Sequence, residues 1–296
     1  MPGIIAENIA IGIATGAIYA IVAVGYNLVF GVMNVLNLAH GAVMMVGSFG
    51  VLLLFYLGVR EFWLASLFGV LLALATGLII ERVAVRPLKG NWWNVKVATL
   101  GFAMFLENLV TRITEGRPEP FPRPFKPVYF PVFSNFEVSN IELFLIAAST
   151  GLTMAMIFFL RRTGPGKAIR VVAQSPELAQ CVGINVQRVM VLGFAVSAAL
   201  AGMAGILNAV TFGSTYPYVG QLLGLKGLVI LIVAGIGNMR GCVIVGLVLG
   251  IIESLVVGLG ASAMRDLVAY AGMVAILLVR PYGLFGEEGR TGVLND

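Results

Sequence analysis

The sequence predicts an all-α, polytopic membrane protein with about eight or nine transmembrane or re-entrant helices. Of its 296 residues, 59% are hydrophobic and 11% are charged, whereas a soluble domain carries about a quarter charged residues. Apolar runs near 9–30, 42–59, 62–80, 95–111, 141–160, 189–211, 222–238, 241–259 and 264–280 approach the roughly 20 residues that a helix needs to cross a bilayer. No region alternates polar and apolar residues as a membrane β-barrel would. The 37 glycines suit close helix packing in lipid. Residues 1–296 read as a single transmembrane domain.

The first run lacks a basic leader and a small-residue cleavage site, so it reads as a retained span. It is followed by the stretch from Gly31 to Gly41, which holds Asn34, Asn37 and the chain's one histidine, His40. Open amides in hydrocarbon cost several kcal/mol each. This stretch is therefore either a loop in water or a break in a membrane helix lining a protected cavity, and the second reading is preferred.

Lys and Arg set the orientation. Twelve of the nineteen, among them Arg82, Arg161, Arg188 and Arg280, fall on one side, against seven on the other. The richer side is expected to be cytoplasmic, which places 112–140 outside and 161–188 inside. The N-terminus is then outside for nine full crossings and inside if one segment is re-entrant.

The outer loop carries alternating prolines from Arg117 to Pro127, which forbid helix and favour extended backbone. It reads as a stiff connector or as a docking rim using Phe121 and Phe125. In the inner loop, Gly164-Pro165-Gly166 reads as a stop for the preceding helix. Ser175-Pro176-Glu177 then spells a helix start, and Gly183 a stop. The short helix between them shows Leu178, Cys181 and Val182 on one side, as expected of a piece that docks into a cytoplasmic partner.

Catalytic constellations are missing from the sequence. There is no phosphate loop, no His-Glu-x-x-His and no Gly-x-Ser-x-Gly. Asp266 and Asp296 are the only aspartates, which excludes a paired-aspartate membrane protease. Cys181 and Cys242 make neither a disulfide framework nor a metal site. Ionisable groups at membrane depth are candidates for function. Glu107 and Glu253 qualify, Glu253 equally for a structural hydrogen bond, whereas Glu81 reads as an interfacial charge. Lys226 is expected to snorkel to the outer interface.

Gly237 and Gly241, then Gly246 and Gly250, form a small-xxx-small seam. A second break is expected over 235–241, with Asn238 inside it. Interrupted helices in both halves point to a midplane solute path, here suited to a zwitterionic or amide-bearing solute.

Several blocks resemble the branched-chain amino-acid ABC transporter permeases, H-type subunit. They are Gly16 to Ala20, Gly25 to Gly31, Asn37 to Gly41, Gly166 to Gln174 with Gly183-Ile184-Asn185, Ala198 to Gly205, and Gly224 to Gly227 with Gly235, Gly237, Gly241 and Glu253. The resemblance implies a type II-like ABC importer permease domain in the bacterial inner membrane, without an ATPase site or cofactor of its own. It implies a second, M-type permease, two cytoplasmic ABC ATPase subunits that bind the ATP, and a periplasmic substrate-binding protein. The inner-loop helix then looks like the coupling helix, with Glu177, Ala179 and Gly183 in the family's loop motif. Ser175-Pro176 replaces a more usual acidic pair, which puts charge contacts there in question. Asn34, Asn37, His40, Gly41, Gly235, Gly237 and Asn238 are expected to line the path. Leucine, isoleucine and valine are the leading solutes, with urea, amides or other amino acids as alternatives. An ion-coupled secondary transporter using Glu253 is the alternative of another class.

Overall fold

A computed structural model describes residues 2–88, 90–133 and 136–286. The first helix, α1 (Pro2–Met33), is a single unbroken span whose side chains from Ala14 to Val29 are buried almost without exception. It is the mast of the bundle. Along it, α10 (Met239–Gly258) runs antiparallel: Gly12 meets Gly250 and Ile251, Gly16 meets Gly246, and Asn8 meets Gly258. Small residues on both helices let the backbones approach. The predicted seam thus holds for Gly246 and Gly250. Gly237 lies outside α10, and Gly241 faces Ala234 and Phe285 instead.

Helix α1 ends where Asn34 takes φ +54, a left-handed conformation that asparagine tolerates better than most residues. An irregular segment, 34–39, leads into α2 (His40–Tyr56). The amides freed there find side chains: Ala39 N–H donates to Asn37 Oδ1 (3.1 Å) and Leu38 N–H to Thr99 Oγ1 (3.3 Å). Helix α2 is about 25 Å long, short of a full hydrocarbon core. It lies parallel to α8 (Val186–Phe212), with His40 beside Ser197, Gly47 beside Gly202, and Ser48 bonded to Thr215 just beyond the helix.

Helix α3 (Phe62–Ile80) crosses back antiparallel to α8, Gly77 meeting Ala198 and Gly202 meeting Ala73. It continues through a π-helical turn, Glu81–Val85, and a 3₁₀ turn, Arg86–Leu88. Helix α4 (Trp92–Thr114) starts on Asn91, whose side chain caps Asn94 N–H. The loop after it forms two small antiparallel pairs. Strand β1 (Glu119–Pro120) pairs with β4 (Ser214–Thr215), and β2 (Tyr129–Phe133) with β3 (Phe136–Ser139). Ser139 and Glu142 then make a capping box for α5 (Asn140–Arg162).

The 161–188 segment departs from expectation. It contains α6 (Gly164–Gln174) as well as the predicted short helix, α7 (Pro176–Cys181). Gly164-Pro165-Gly166 is an interruption and a restart, because Thr163 Oγ1 accepts from Gly166 N–H (3.1 Å). Proline and glycine are tolerated in a first turn, whose amides have no helical partner. A Cβ on Gly166 would strike the Phe159 carbonyl, so α6 folds tightly back on α5.

After α8 the chain enters a second irregular segment, 213–218, then α9 (Val219–Ala234). Only Gly235 to Asn238 separates α9 from α10. Helix α11 (Arg265–Val279) follows a 3₁₀ turn, Ser262–Met264. The predicted nine runs thus correspond to α1 to α5 and α8 to α11. Among the described residues, six helical stretches are long and apolar enough to cross a membrane, α2 and α9 are shorter apolar helices, and α4 carries more polar residues.

All nine alternate between two ends. The ends of α1, α3, α5, α9 and α11 and the starts of α4, α8 and α10 share one end with α6, α7 and most of the basic side chains (the basic end). The N-terminus and the proline-rich loop lie at the other (the Pro-rich end), where Trp63 packs against Phe125 and Phe144.

Candidate functional site

Two short helices begin inside the bundle, and their first turns touch. Gly41 of α2 and Gly220 of α9 abut backbone to backbone, and Gly224 lies against Gly41 on the next turn. Around this crossing His40 packs against Tyr26 in a tilted contact (4.3 Å between centroids, 50° between planes). Its Nδ1 is 3.3 Å from Ser197 Oγ, which itself donates to the Gly25 carbonyl (2.8 Å). Gly25 leaves the room that the imidazole fills. Asn37, His40 and Gly41 therefore come together, buried and packed, with Thr99, Ser197 and Tyr26 completing the cluster. Asn34 stands apart, exposed at the basic end. A cavity of about 160 Å³ opens nearby, lined by Met33, Val35, Val85, Val95, Met190, Gly90 and Asn91.

Gly235, Gly237 and Asn238 form a different site, at the basic end. Both glycines take φ +90. Gly237 N–H donates to Asn27 Oδ1 (3.0 Å) on α1. Asn238 caps α10 through Gly241 N–H (2.9 Å) and donates to the Phe285 carbonyl (3.1 Å). Leu284 and Phe285 N–H groups donate to the carbonyls of Val233 and Ala234, so the tail after α11 closes over this break. The interruption that matches 34–39 in placement is 213–218, not 235–241. Each of those two segments precedes a short helix that starts inside the bundle.

Sequence reasoning missed an ionic cluster. Glu253, 1% exposed, accepts from Tyr19 Oη (2.8 Å), Lys226 Nζ (2.9 Å) and Arg265 Nε (2.7 Å). Arg265 also donates to Tyr19 Oη (2.7 Å), and Lys226 pairs with Asp266 (2.9 Å). Lys226 thus turns inward and does not snorkel to the interface: two carboxylates and the Tyr19 ring compensate its charge. The residues mark Glu253 and Lys226 separately and do not join them. The partners of Glu253 lie on α1, α9 and α11, at separations no periodicity connects. Glu81 is likewise buried, accepting from Gln187 Nε2 (2.9 Å) across the start of α8. Glu107 is buried on the inward face of α4.

At the basic end α7 projects from the bundle. Ser175 Oγ accepts from Leu178 N–H (3.2 Å), Ala179 is fully buried as the anchor, and Gly183 takes φ +80 at the stop. Leu178 and Val182 are 66% and 72% exposed, and Cys181 and Glu177 are exposed beside them.

The model of a family described as branched-chain amino acid transport system / permease component matches residues 8–277. The chain is 34% identical over 289 residues to the high-affinity branched-chain amino acid transport system permease protein LivH of Escherichia coli (strain K12), covering 93% of this chain and 94% of that one. It is 31% identical over 293 residues to the corresponding BraD protein of Pseudomonas aeruginosa, covering 95% of each. Similarity to LivM of Escherichia coli (strain K12) is lower, 25% over 297 residues, with 90% of this chain and 67% of that one covered. With the helical membrane architecture, these matches show that the chain belongs to the branched-chain amino acid transport permease family.

Proposed function

We propose that this chain is the H-type membrane subunit of an ATP-driven ABC importer for leucine, isoleucine and valine in the bacterial inner membrane. Family membership over 270 residues is the observation that carries this reading. A homologous M-type permease completes the channel, two cytoplasmic ABC ATPases bind and hydrolyse ATP, and a periplasmic binding protein delivers the solute. Similarity to both LivH and LivM supports a pair of related permeases. The basic end then faces the cytoplasm, as the Lys and Arg bias requires.

Helix α7 is the coupling helix in this reading. Its exposed Leu178 and Val182 suit an apolar socket, Glu177 offers a charge at the rim, Ala179 fixes it to the bundle, and Gly183 ends it. ATP closes the ATPase pair, and α6 and α7 carry that motion to α1, α5 and α8, against which they pack. Asn34 and Gly237 flank the inner mouth of the path. Asn37, His40, Gly41, Gly235 and Asn238 act from behind it by setting where α2, α9 and α10 start.

An ion-coupled carrier would need a carboxylate free to bind and release its ion, and Glu253 is held by two cations and a tyrosine. Co-purification from membranes with and without Gly183→Arg tests the importer reading. A non-glycine residue at that φ costs about 1–2 kcal/mol, and the arginine would stand in α7's docking face. The expected result is that a second permease and ATPases travel with the wild type, and that the substitution releases the ATPases alone. Purification of the chain by itself, with leucine uptake in liposomes that lack ATP, would overturn the reading.

A further inference from the structure

Within the ionic cluster, exposure rises in one direction. The side chains of Glu253 and Lys226 are 1% and 7% exposed, Arg265 29% and Asp266 55%. The cluster therefore has a closed back at Glu253 and Lys226 and an open side at Asp266 and Arg265, where Asp266 pairs with Lys226 (2.9 Å). It lies near the Pro-rich end, since Glu253 is just over one turn from the end of α10 and Asp266 is in the first turn of α11. Tyr216, in the 213–218 segment, is within electrostatic reach of Lys226, Arg265 and Asp266. Tyr270, one turn beyond Asp266, is within reach of Asp266, Lys226 and Glu253. One cation and one anion thus stand in contact, with two tyrosines within electrostatic reach of the pair.

A free amino acid carries both charges, and an unpaired charge cannot be taken into a low-dielectric site cheaply. An existing ion pair removes that obstacle. If Asp266 swings away, the solute's carboxylate replaces it on Lys226 while the solute's ammonium meets Asp266. Every charge stays matched, and the net charge of the site does not change. Lys226 remains held throughout by Glu253 and Tyr19. A solute with only one of the two charges would leave Lys226 or Asp266 unmatched.

We propose that the Lys226–Asp266 pair is a binding station for a zwitterionic amino acid arriving from the Pro-rich end, Lys226 taking the carboxylate and Asp266 the ammonium. Tyr216 and Tyr270 are the aromatic residues near enough to meet the solute. Glu253, Arg265 and Tyr19 are positioning residues that hold Lys226 in place. This inference rests on the importer reading and adds a solute contact within the membrane subunit itself.

The test is equilibrium binding to the whole membrane complex in nanodiscs, without the binding protein. Radiolabelled leucine, isoamylamine (no carboxylate) and 4-methylpentanoate (no ammonium) are compared. Saturable leucine binding is expected, with each analogue weaker by about tenfold or more, the loss of one charge-assisted bond. Asp266→Asn is expected to erase the preference for leucine over 4-methylpentanoate, and Asp266→Glu to keep it, which a merely structural residue would not do. The inference is overturned by an absence of saturable leucine binding, by equal binding of the three compounds, or by an unchanged preference in Asp266→Asn. Should that variant fail to assemble, the analogue series on the wild type decides. ATP-dependent leucine uptake by wild-type proteoliposomes supplied with the binding protein separates the two claims. Uptake without binding at this site sinks the station alone, and no uptake sinks both.

Discussion

Gly41 and Gly220 cross with no space for a methyl group between them, since a Cβ on either would strike the carbonyl of the other. The contact joins the first turns of α2 and α9, the two helices that begin inside the bundle. Gly41→Ala or Gly220→Ala is expected to cost about 1–3 kcal/mol through overpacking, read as a lower thermal midpoint in detergent, and to impair transport. Gly101→Ala is the control. That glycine has open space around it in the middle of α4, and alanine there should be neutral or stabilising by up to about 1 kcal/mol.

Removing one member of the ionic cluster should cost more than its surface neighbours would suggest. Glu253→Gln leaves Lys226 and Arg265 without their shared buried carboxylate, a loss of about 3–5 kcal/mol. Lys226→Met should cost less, because Glu253 keeps Arg265 and Tyr19. Unfolding in graded SDS compares the two. An unchanged midpoint for Glu253→Gln would mean that the carboxylate is not bound as described.

Ser197 serves two partners, the Gly25 carbonyl and His40 Nδ1. Ser197→Ala should lower stability by about 1–2 kcal/mol. A double-mutant cycle with His40→Gln should give a coupling of about 0.5 kcal/mol or more. Strict additivity would mean that His40 and Ser197 do not interact.

The proline-rich loop is tied to the second interrupted segment. Phe121 is buried and its N–H donates to the Gly213 carbonyl (2.9 Å). Pro120 and Glu119 pair with Ser214 and Thr215, and Tyr56 donates to Glu119 (2.7 Å). Phe121→Ala should cost about 3 kcal/mol and make 117–130 cleavable by protease added at the Pro-rich end. Equal cleavage rates in wild type and variant would show that Phe121 is not the anchor.

Leu178→Asp should leave stability within about 0.5 kcal/mol and the thermal midpoint essentially unchanged, as expected for an exposed side chain. If α7 is the proposed coupling helix, the substitution should also abolish recovery of the ATPases in a pull-down. Full recovery would move the docking site off α7.

Much of this architecture is legible in the residues. Long apolar runs give helices because lipid lets a backbone satisfy itself only in a helix or a closed barrel, and unalternating runs of this length fit only the helix. Ser175, Pro176 and Gly183 delimit α7 because caps are local chemistry, fixed by side chains within a few residues of the amides they satisfy. Gly164-Pro165-Gly166 does end α5 at Arg162, as the residues suggest, but it also opens α6. A stop and a start use the same residues, and only the packing of α6 against Phe159 distinguishes them.

The sequence by itself determined that the protein is helical, lies in a membrane, has a basic end, and interrupts a helix after Met33. Those properties follow from hydropathy, charge and capping, which act over a turn or a span. The tertiary structure alone decided that 213–218 is the partner of 34–39, that Gly41 meets Gly220, and that Lys226 turns inward to Glu253 and Asp266. Tyr19 and Glu253 are 234 residues apart. What unites such groups is the cost of leaving a charge unpaired in a low-dielectric interior, and that cost is set by where the helices pack.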